Sequence, residues 1–174
     1  YAARKRAINA LDFDDLLVYC LKLFREHERV SNRYQEQFMH VLVDEYQDTN
    51  CLQAELVDRI AGRHRNLMVV GDDFQSIYSW RGADYRNIMS FPERYPDTKM
   101  FKLETNYRSV PEILDLANRC IAGNPLQFQK VLRPTREPYR KPRVMMVRDG
   151  MEQAHYVVEA VRKLRPKAFV AENV

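Results

Sequence analysis

Glycine is scarce in this 174-residue chain, which has only five. They stand in Gly62-Arg63, Gly71-Asp72, Gly82-Ala83, Gly123-Asn124 and Gly150-Met151, and none opens the Gly-Lys-Ser/Thr sequence of a phosphate-cradling loop. Long apolar runs are also missing. Stretches such as Leu67-Met68-Val69-Val70 fall far short of the roughly 20 residues that cross a bilayer. Cys20, Cys51 and Cys120 are odd in number and form no CxxC pair, which argues against a disulfide framework. Reduced thiols in a cytoplasmic protein are the simplest reading. The opening Tyr1-Ala2-Ala3-Arg4-Lys5-Arg6 lacks the apolar stretch of a signal peptide and an initiator Met, so we expect an internal fragment of a longer chain.

What remains is ordinary globular composition: 45% hydrophobic and 30% charged residues. That excludes a disordered acidic tail and a collagen-like chain. The net charge, 28 basic minus 24 acidic residues or +4, is too small to demonstrate a nucleic-acid partner. Its distribution says more. From Lys130 to Arg148, seven basic residues face one acid, Glu137, and read either as a solvated connection or as a phosphate-facing surface.

Leu16, Leu17, Cys20, Leu21 and Phe24 recur at helical spacing and predict a helix from Asp14 to about Glu28, with Asp12, Asp14 and Asp15 at its positive end. Met39–Val43 and Leu67–Val70 read as buried parallel strands. Between them, Asn50 with Gln53 forms a capping-box signal for a helix that ends at Gly62. Strand, helix and strand make a βαβ unit, and the class is α/β. Lys99–Leu103 is a further strand candidate. Ser109, Pro111 and Glu112 predict the start of a helix that stops at Gly123, with Ser109 as its cap. Val144–Val147 is expected as a strand and Glu152–Leu164 as a last helix.

Two strands run out into acids, at Asp44-Glu45 and at Gly71-Asp72. In open parallel sheets, ligands sit beyond the carboxyl ends of the strands. Apolar residues followed by Asp-Glu form the Walker B pattern, in which the first acid holds Mg²⁺ and the second orients or deprotonates water. The run from Gly71 to Ala83 adds an amide, Gln75, that can bond a phosphate oxygen. It also carries Tyr78 and Trp80, whose rings serve either as core packing or as stacking faces for unpaired bases. Arg108, in Asn106-Tyr107-Arg108-Ser109, is either a surface ion-pairing residue or an arginine finger toward a transferring phosphoryl group.

Together these segments resemble the UvrD/Rep/PcrA-type superfamily 1 DNA helicases. The match is carried by Leu11-Asp12-Phe13-Asp14-Asp15-Leu16, by Val43-Asp44-Glu45-Tyr46-Gln47-Asp48-Thr49-Asn50, by Gly71 to Ala83 and by Leu103-Glu104-Thr105-Asn106-Tyr107-Arg108-Ser109. It is strong from Leu11 to Asn118 and fades beyond Gly123. The resemblance implies a RecA-like parallel sheet flanked by helices. It divides the chain into residues 1–104, the latter part of a first RecA-like domain, and residues 105–174, the opening part of a second.

The resemblance further implies Asp44 as the Mg²⁺ acid and Glu45 as the base for ATP hydrolysis. Gln75 would sense the γ-phosphate, and Tyr78, Trp80 and Arg81 would lie along single-stranded DNA. Tyr107 would stack on adenine, and Arg108 would reach the γ-phosphate from the second domain. Asp48 and Asp72 would organise the site. The implied mechanism is a 3′ to 5′ motor on single-stranded DNA, driven by ATP. Where the family usually has an acid, this chain has Phe74. Without the phosphate-cradling loop, residues 1–174 alone are expected to be inactive. The competing expectations are a non-catalytic DNA- or protein-binding module and a subunit of a RecB- or AddA-like helicase–nuclease. The ending, residues 166–174, matches nothing in the family pattern.

Overall fold

In the computed structural model, residues 1–163 are described; Leu164 of the expected last helix and the unmatched ending lie outside them. A short helix, α1 (Ala2–Ala7), leads into α2 (Phe13–Glu26). The acids before α2 act as more than dipole partners. Asp12 Oδ1 accepts from the Asp15 amide at 2.9 Å, and Asp15 Oδ2 accepts from the Asp12 amide at 3.1 Å, so the pair closes a capping box. Lys5 of α1 bonds both carboxylates and fastens the two helices together. A helix the hydrophobic pattern did not announce, α3 (Glu28–Gln37), follows directly; its Tyr34 ring stacks on Phe24 of α2 at 5.6 Å.

β1 (Val41–Val43) and β2 (Leu67–Val69) pair in parallel, with Val41 opposite Leu67 and Val43 opposite Val69. α4 (Cys51–Ala61) connects them and starts on the expected capping box of Asn50 and Gln53, both bonds being 2.9 Å. Val43, Leu67 and Val69 pack on a core of Tyr46, Ala54, Ile88 and Phe91. The last two come from short helices, α5 (Arg86–Met89) and α6 (Phe91–Arg94). The expectation of strands buried on both faces is corrected here. Leu42 is 72% exposed and its register partner Met68 56%, because the packed layer covers one side of this two-stranded sheet.

The later part departs further from the sequence pattern. Lys99–Leu103 forms no strand. Instead β3 (Thr105–Asn106) pairs in parallel with β4 (Arg133–Pro134). α7 (Pro111–Ile121) begins one residue later than expected, and Ser109 is not its cap. The Asn106 carboxamide takes the Arg108 and Ser109 amides at 3.0 and 2.7 Å and turns the chain before the helix begins. Glu112, the other half of the expected capping box, accepts from the Tyr139 amide at 3.0 Å instead. Val144–Val147 also forms no strand, and Val144 and Met146 stand 87% exposed. The last helix, α8 (Gly150–Lys163), is present. The class is α/β with two small parallel sheets, and no described helix is long and apolar enough to cross a membrane.

Candidate functional site

The two acid-bearing strand ends are stitched to each other. The Val70 amide donates to the Val43 carbonyl at 2.8 Å, and the Tyr46 amide donates to the Val70 carbonyl at 2.9 Å. Between these bonds the chain makes a sharp turn at Glu45, whose φ of +50° and ψ of +41° are left-handed. That conformation costs an L-residue roughly 1–2 kcal/mol. It keeps Asp44 and Glu45 at the surface while sending Tyr46 and Gln47 inward, to 0% and 1% exposure.

Gln47 is the residue that sequence reasoning missed. Its Nε2 donates to Glu45 Oε2 at 2.7 Å and to Asp48 Oδ2 at 3.3 Å, and its Oε1 accepts from the Asp72 amide at 3.0 Å. Asp72 Oδ2 in turn accepts from Gln75 Nε2 at 2.7 Å. A hydrogen-bonded path therefore runs Glu45, Gln47, Asp72, Gln75 and joins the two strand ends into one site. Gly71 makes room for it. A Cβ at that position would lie 2.6 Å from both Gln47 Oε1 and Ile88 Cδ1. The signal for Gln47 was its place in the quoted motif; its partners depend on two strand ends meeting.

Asp72 also caps the tight turn Asp73–Gln75, accepting from the Phe74 amide at 3.1 Å. Lys130 reaches in from the connection between α7 and β4, 2.5 Å from Asp72 Oδ1 and 2.9 Å from Asp73 Oδ1. Burial pushes the Asp72 carboxyl up, but the bonds from Lys130 and Gln75 outweigh it and hold the group below the usual carboxylate range. For Lys130, burial works against the charge, and the two carboxylates more than reverse that, so its ammonium is held above the ordinary lysine range. Two further polar atoms in these motif segments, Asp48 Oδ1 and Ser76 Oγ, are buried with no hydrogen-bond partner.

Asp44 lies exposed at the end of β1, with Oδ1 accepting from the Glu45 amide at 2.9 Å and Oδ2 free of any hydrogen bond described. Among the described residues, no three His, Cys, Asp or Glu side chains gather to cage a metal. Mg²⁺ needs no such cage, since it keeps several waters and takes one or two carboxylates beside phosphate oxygens. The exposed Asp44 carboxylate fits that coordination.

Trp80 is 73% exposed, so core packing is not its role. It sits in the turn Ser79–Arg81, which closes on Gly82 at φ +86°. The Arg81 guanidinium lies 4.5 Å from the Trp80 ring and 5.3 Å from that of Tyr78, and the three form one cationic, aromatic surface. The segment just after it is tied to the first strand end: Asp84 and Asn87 both donate to the Thr49 carbonyl, at 3.0 and 2.9 Å.

Tyr107 and Arg108 are not drawn into this group. Tyr107 is 77% exposed, and the Arg108 carbonyl accepts from Arg136 at 2.8 Å. Among the described residues, no hydrogen bond links either side chain to Asp44, Glu45 or Gln75. The later part of the chain reaches the site through Lys130 and through the Phe128 amide, which donates to Asp73 Oδ2 at 2.9 Å.

A family model described as the UvrD/REP helicase N-terminal domain matches residues 1–96. The chain is 48% identical over 132 residues to the ATP-dependent DNA helicase Rep of Escherichia coli (strain K12), covering 76% of this chain and 20% of that protein. It is 44% identical over 154 residues to the ATP-dependent DNA helicase PcrA of Staphylococcus epidermidis, covering 88% and 21%. A probable DNA helicase II homolog of Rickettsia conorii is 38% identical over 167 residues, covering 95% and 26%. The chain thus spans about a fifth to a quarter of the length of these relatives. With more than half of its residues matched by the family model, the chain belongs to the UvrD/REP helicase family.

Proposed function

We propose that this chain is the hydrolysis-and-coupling segment of an ATP-dependent 3′ to 5′ DNA helicase or translocase. The observation that carries the reading is the hydrogen-bonded path from Glu45 through Gln47 and Asp72 to Gln75. Glu45 is the base that orients and deprotonates the attacking water. Gln47 fixes its carboxylate, and Gln75 reads the γ-phosphate. Asp44 holds Mg²⁺, which when bound neutralises charge on the phosphates. Tyr78, Trp80 and Arg81 continue directly from Gln75 and supply stacking faces and a cation for single-stranded DNA. A displacement of Gln75 is therefore felt within a few residues at the base-binding surface.

In this reading residues 1–104 belong to a first RecA-like domain and residues 105–174 to a second. Tyr107 stacks on the adenine, and Arg108 approaches the γ-phosphate when the two domains close on ATP. The names of the relatives support the class, and the absence of Gly-Lys-Ser/Thr from residues 1–174 means that this segment alone does not hydrolyse ATP.

Glu45→Gln in the complete polypeptide tests the assignment. DNA-stimulated ATP hydrolysis falls by roughly 10²- to 10⁴-fold, the range for loss of a general base, while ATP binding persists. Unchanged turnover in that variant removes Glu45 from the chemistry. Hydrolysis by residues 1–174 alone, at a rate Glu45→Gln abolishes, overturns the expected inactivity of the segment.

A further inference from the structure

Three consecutive residues ahead of Gln75 all converge on one ammonium. Lys130 Nζ is 2.5 Å from Asp72 Oδ1, 2.9 Å from Asp73 Oδ1 and 4.0 Å from the centroid of the Phe74 ring. The grip is sheltered, with the Lys130 side chain 13% exposed and that of Asp73 4%. Phe128, two residues before Lys130, completes it by packing on the core around Tyr46 while its amide bonds Asp73. An ammonium has three donors and no acceptor, so two carboxylates and a ring face are what it can satisfy here. Phe74 stands where the family resemblance leads one to expect an acid. A third carboxylate beside Asp72 and Asp73 would leave surplus negative charge around one cation, whereas the ring adds attraction without charge.

We propose that Lys130 is the positioning residue of Gln75, acting through the carboxylate of Asp72 that both side chains share. The proposal rests on the helicase reading above. Asp72 Oδ2 takes one N–H of the Gln75 amide at 2.7 Å, which aims the second N–H, the one a phosphate oxygen would accept. Lys130 draws on the same carboxylate and keeps it from binding the amide as a bare anion would. Remove the cation and two things follow. Asp72 binds Gln75 harder, and the connection carrying Phe128 and Lys130 loses its hold on the turn. Both act on where the Gln75 amide points rather than on affinity for nucleotide.

The complete polypeptide, assayed for ATP hydrolysis with an oligo-dT strand, tests this through three variants. Lys130→Met removes the charge and keeps the apolar stem; DNA-stimulated kcat is expected to fall about tenfold with KM for ATP changing less than about twofold. Lys130→Arg is expected to recover most of that loss. Gln75→Ala separates the two levels of inference. If it leaves stimulated hydrolysis intact, the helicase reading of this site fails. If it abolishes stimulation while Lys130→Met matches the parent, or while Lys130→Arg is no better than Met, the positioning role fails. Should Lys130→Met not fold by circular dichroism, Phe74→Leu decides. It spares both ion pairs but removes the ring, and stimulated hydrolysis is expected to become more sensitive to salt; an unchanged salt dependence overturns the proposal.

Discussion

The two parallel strand pairs are built on opposite economies of contact. β1 and β2 rest on Tyr46, Ala54, Ile88 and Phe91, and the polar Gln47 is packed as tightly as the apolar residues around it. β3 and β4 have almost nothing beneath them: among the described residues after Arg94, only Leu114 is buried. Their order comes from carboxamides. Asn106 closes a turn, and Asn118 bonds Leu132 in both directions at 3.0 and 3.1 Å. A polar contact in water contributes far less than the burial of an aromatic ring, because solvent offers the same groups a substitute. The first pair therefore has a core of its own, and the second is held by those polar bonds and by its grip on the first, at Phe128 and Lys130.

The sharpest way to break this comparison is to empty the first core. Tyr46 is fully buried, lies edge-on to Phe91 at 5.7 Å and accepts a hydrogen bond from Arg94 at its hydroxyl oxygen, at 2.7 Å. Tyr46→Ala is expected to cost about 3–5 kcal/mol in urea denaturation, as large-to-small aromatic changes in cores do. Leu114→Ala, at the one buried position among the described residues of the second part, should cost less and leave the unfolding of the first part unchanged; equal losses would mean one shared core.

A smaller effect is expected from Gly71→Ala. The new methyl would sit 2.6 Å from Gln47 Oε1 and Ile88 Cδ1, and the neighbours must move, at about 1–3 kcal/mol by the usual cost of overpacking. Hydrogen exchange at the Asp72 amide should speed up, since Gln47 is its partner. A protected amide in that variant would show that Gln47 is not pinned.

The smallest effect is that of acid. Asp72 has its carboxyl held below the ordinary range in the folded chain, with Lys130, Asp73 and Gln75 around it. Its contribution is complete above the unfolded value of about 3.9 and fades as pH drops through the folded one. The stability gap between the parent and Lys130→Met should stay level from pH 5 to 8 and close below about pH 4. Lys130, held above its ordinary range, adds no change until pH rises past about 10.4.

Much of the first part was legible residue by residue. Asn50 with Gln53 is a local signal that local hydrogen bonds honoured. Asp12 and Asp15 were legible only as acids at a helix's positive end, and their reciprocal bonds came with the structure. The two acid-ended strands were legible because apolar runs stop abruptly at charge. Lys99–Leu103 and Val144–Val147 looked similar and failed, since a strand exists only when a partner lies beside it; Leu103 at 84% exposure has none. Ser109 does not cap α7, because Asn106 three residues earlier accepts its amide and turns the chain, and the helix starts from Val110 with no side-chain cap. Gln47 and Lys130 were hidden for another reason. The first matters only once two strand ends meet, and the second acts across more than fifty residues of sequence.

One indole serves the whole chain, and it stands in solvent with a guanidinium 4.5 Å from its ring. Trp80 is thus a built-in fluorophore with no second indole in this chain to obscure it. Anything flat that settled on that exposed ring would change its surroundings, and the emission would report the contact with no label attached.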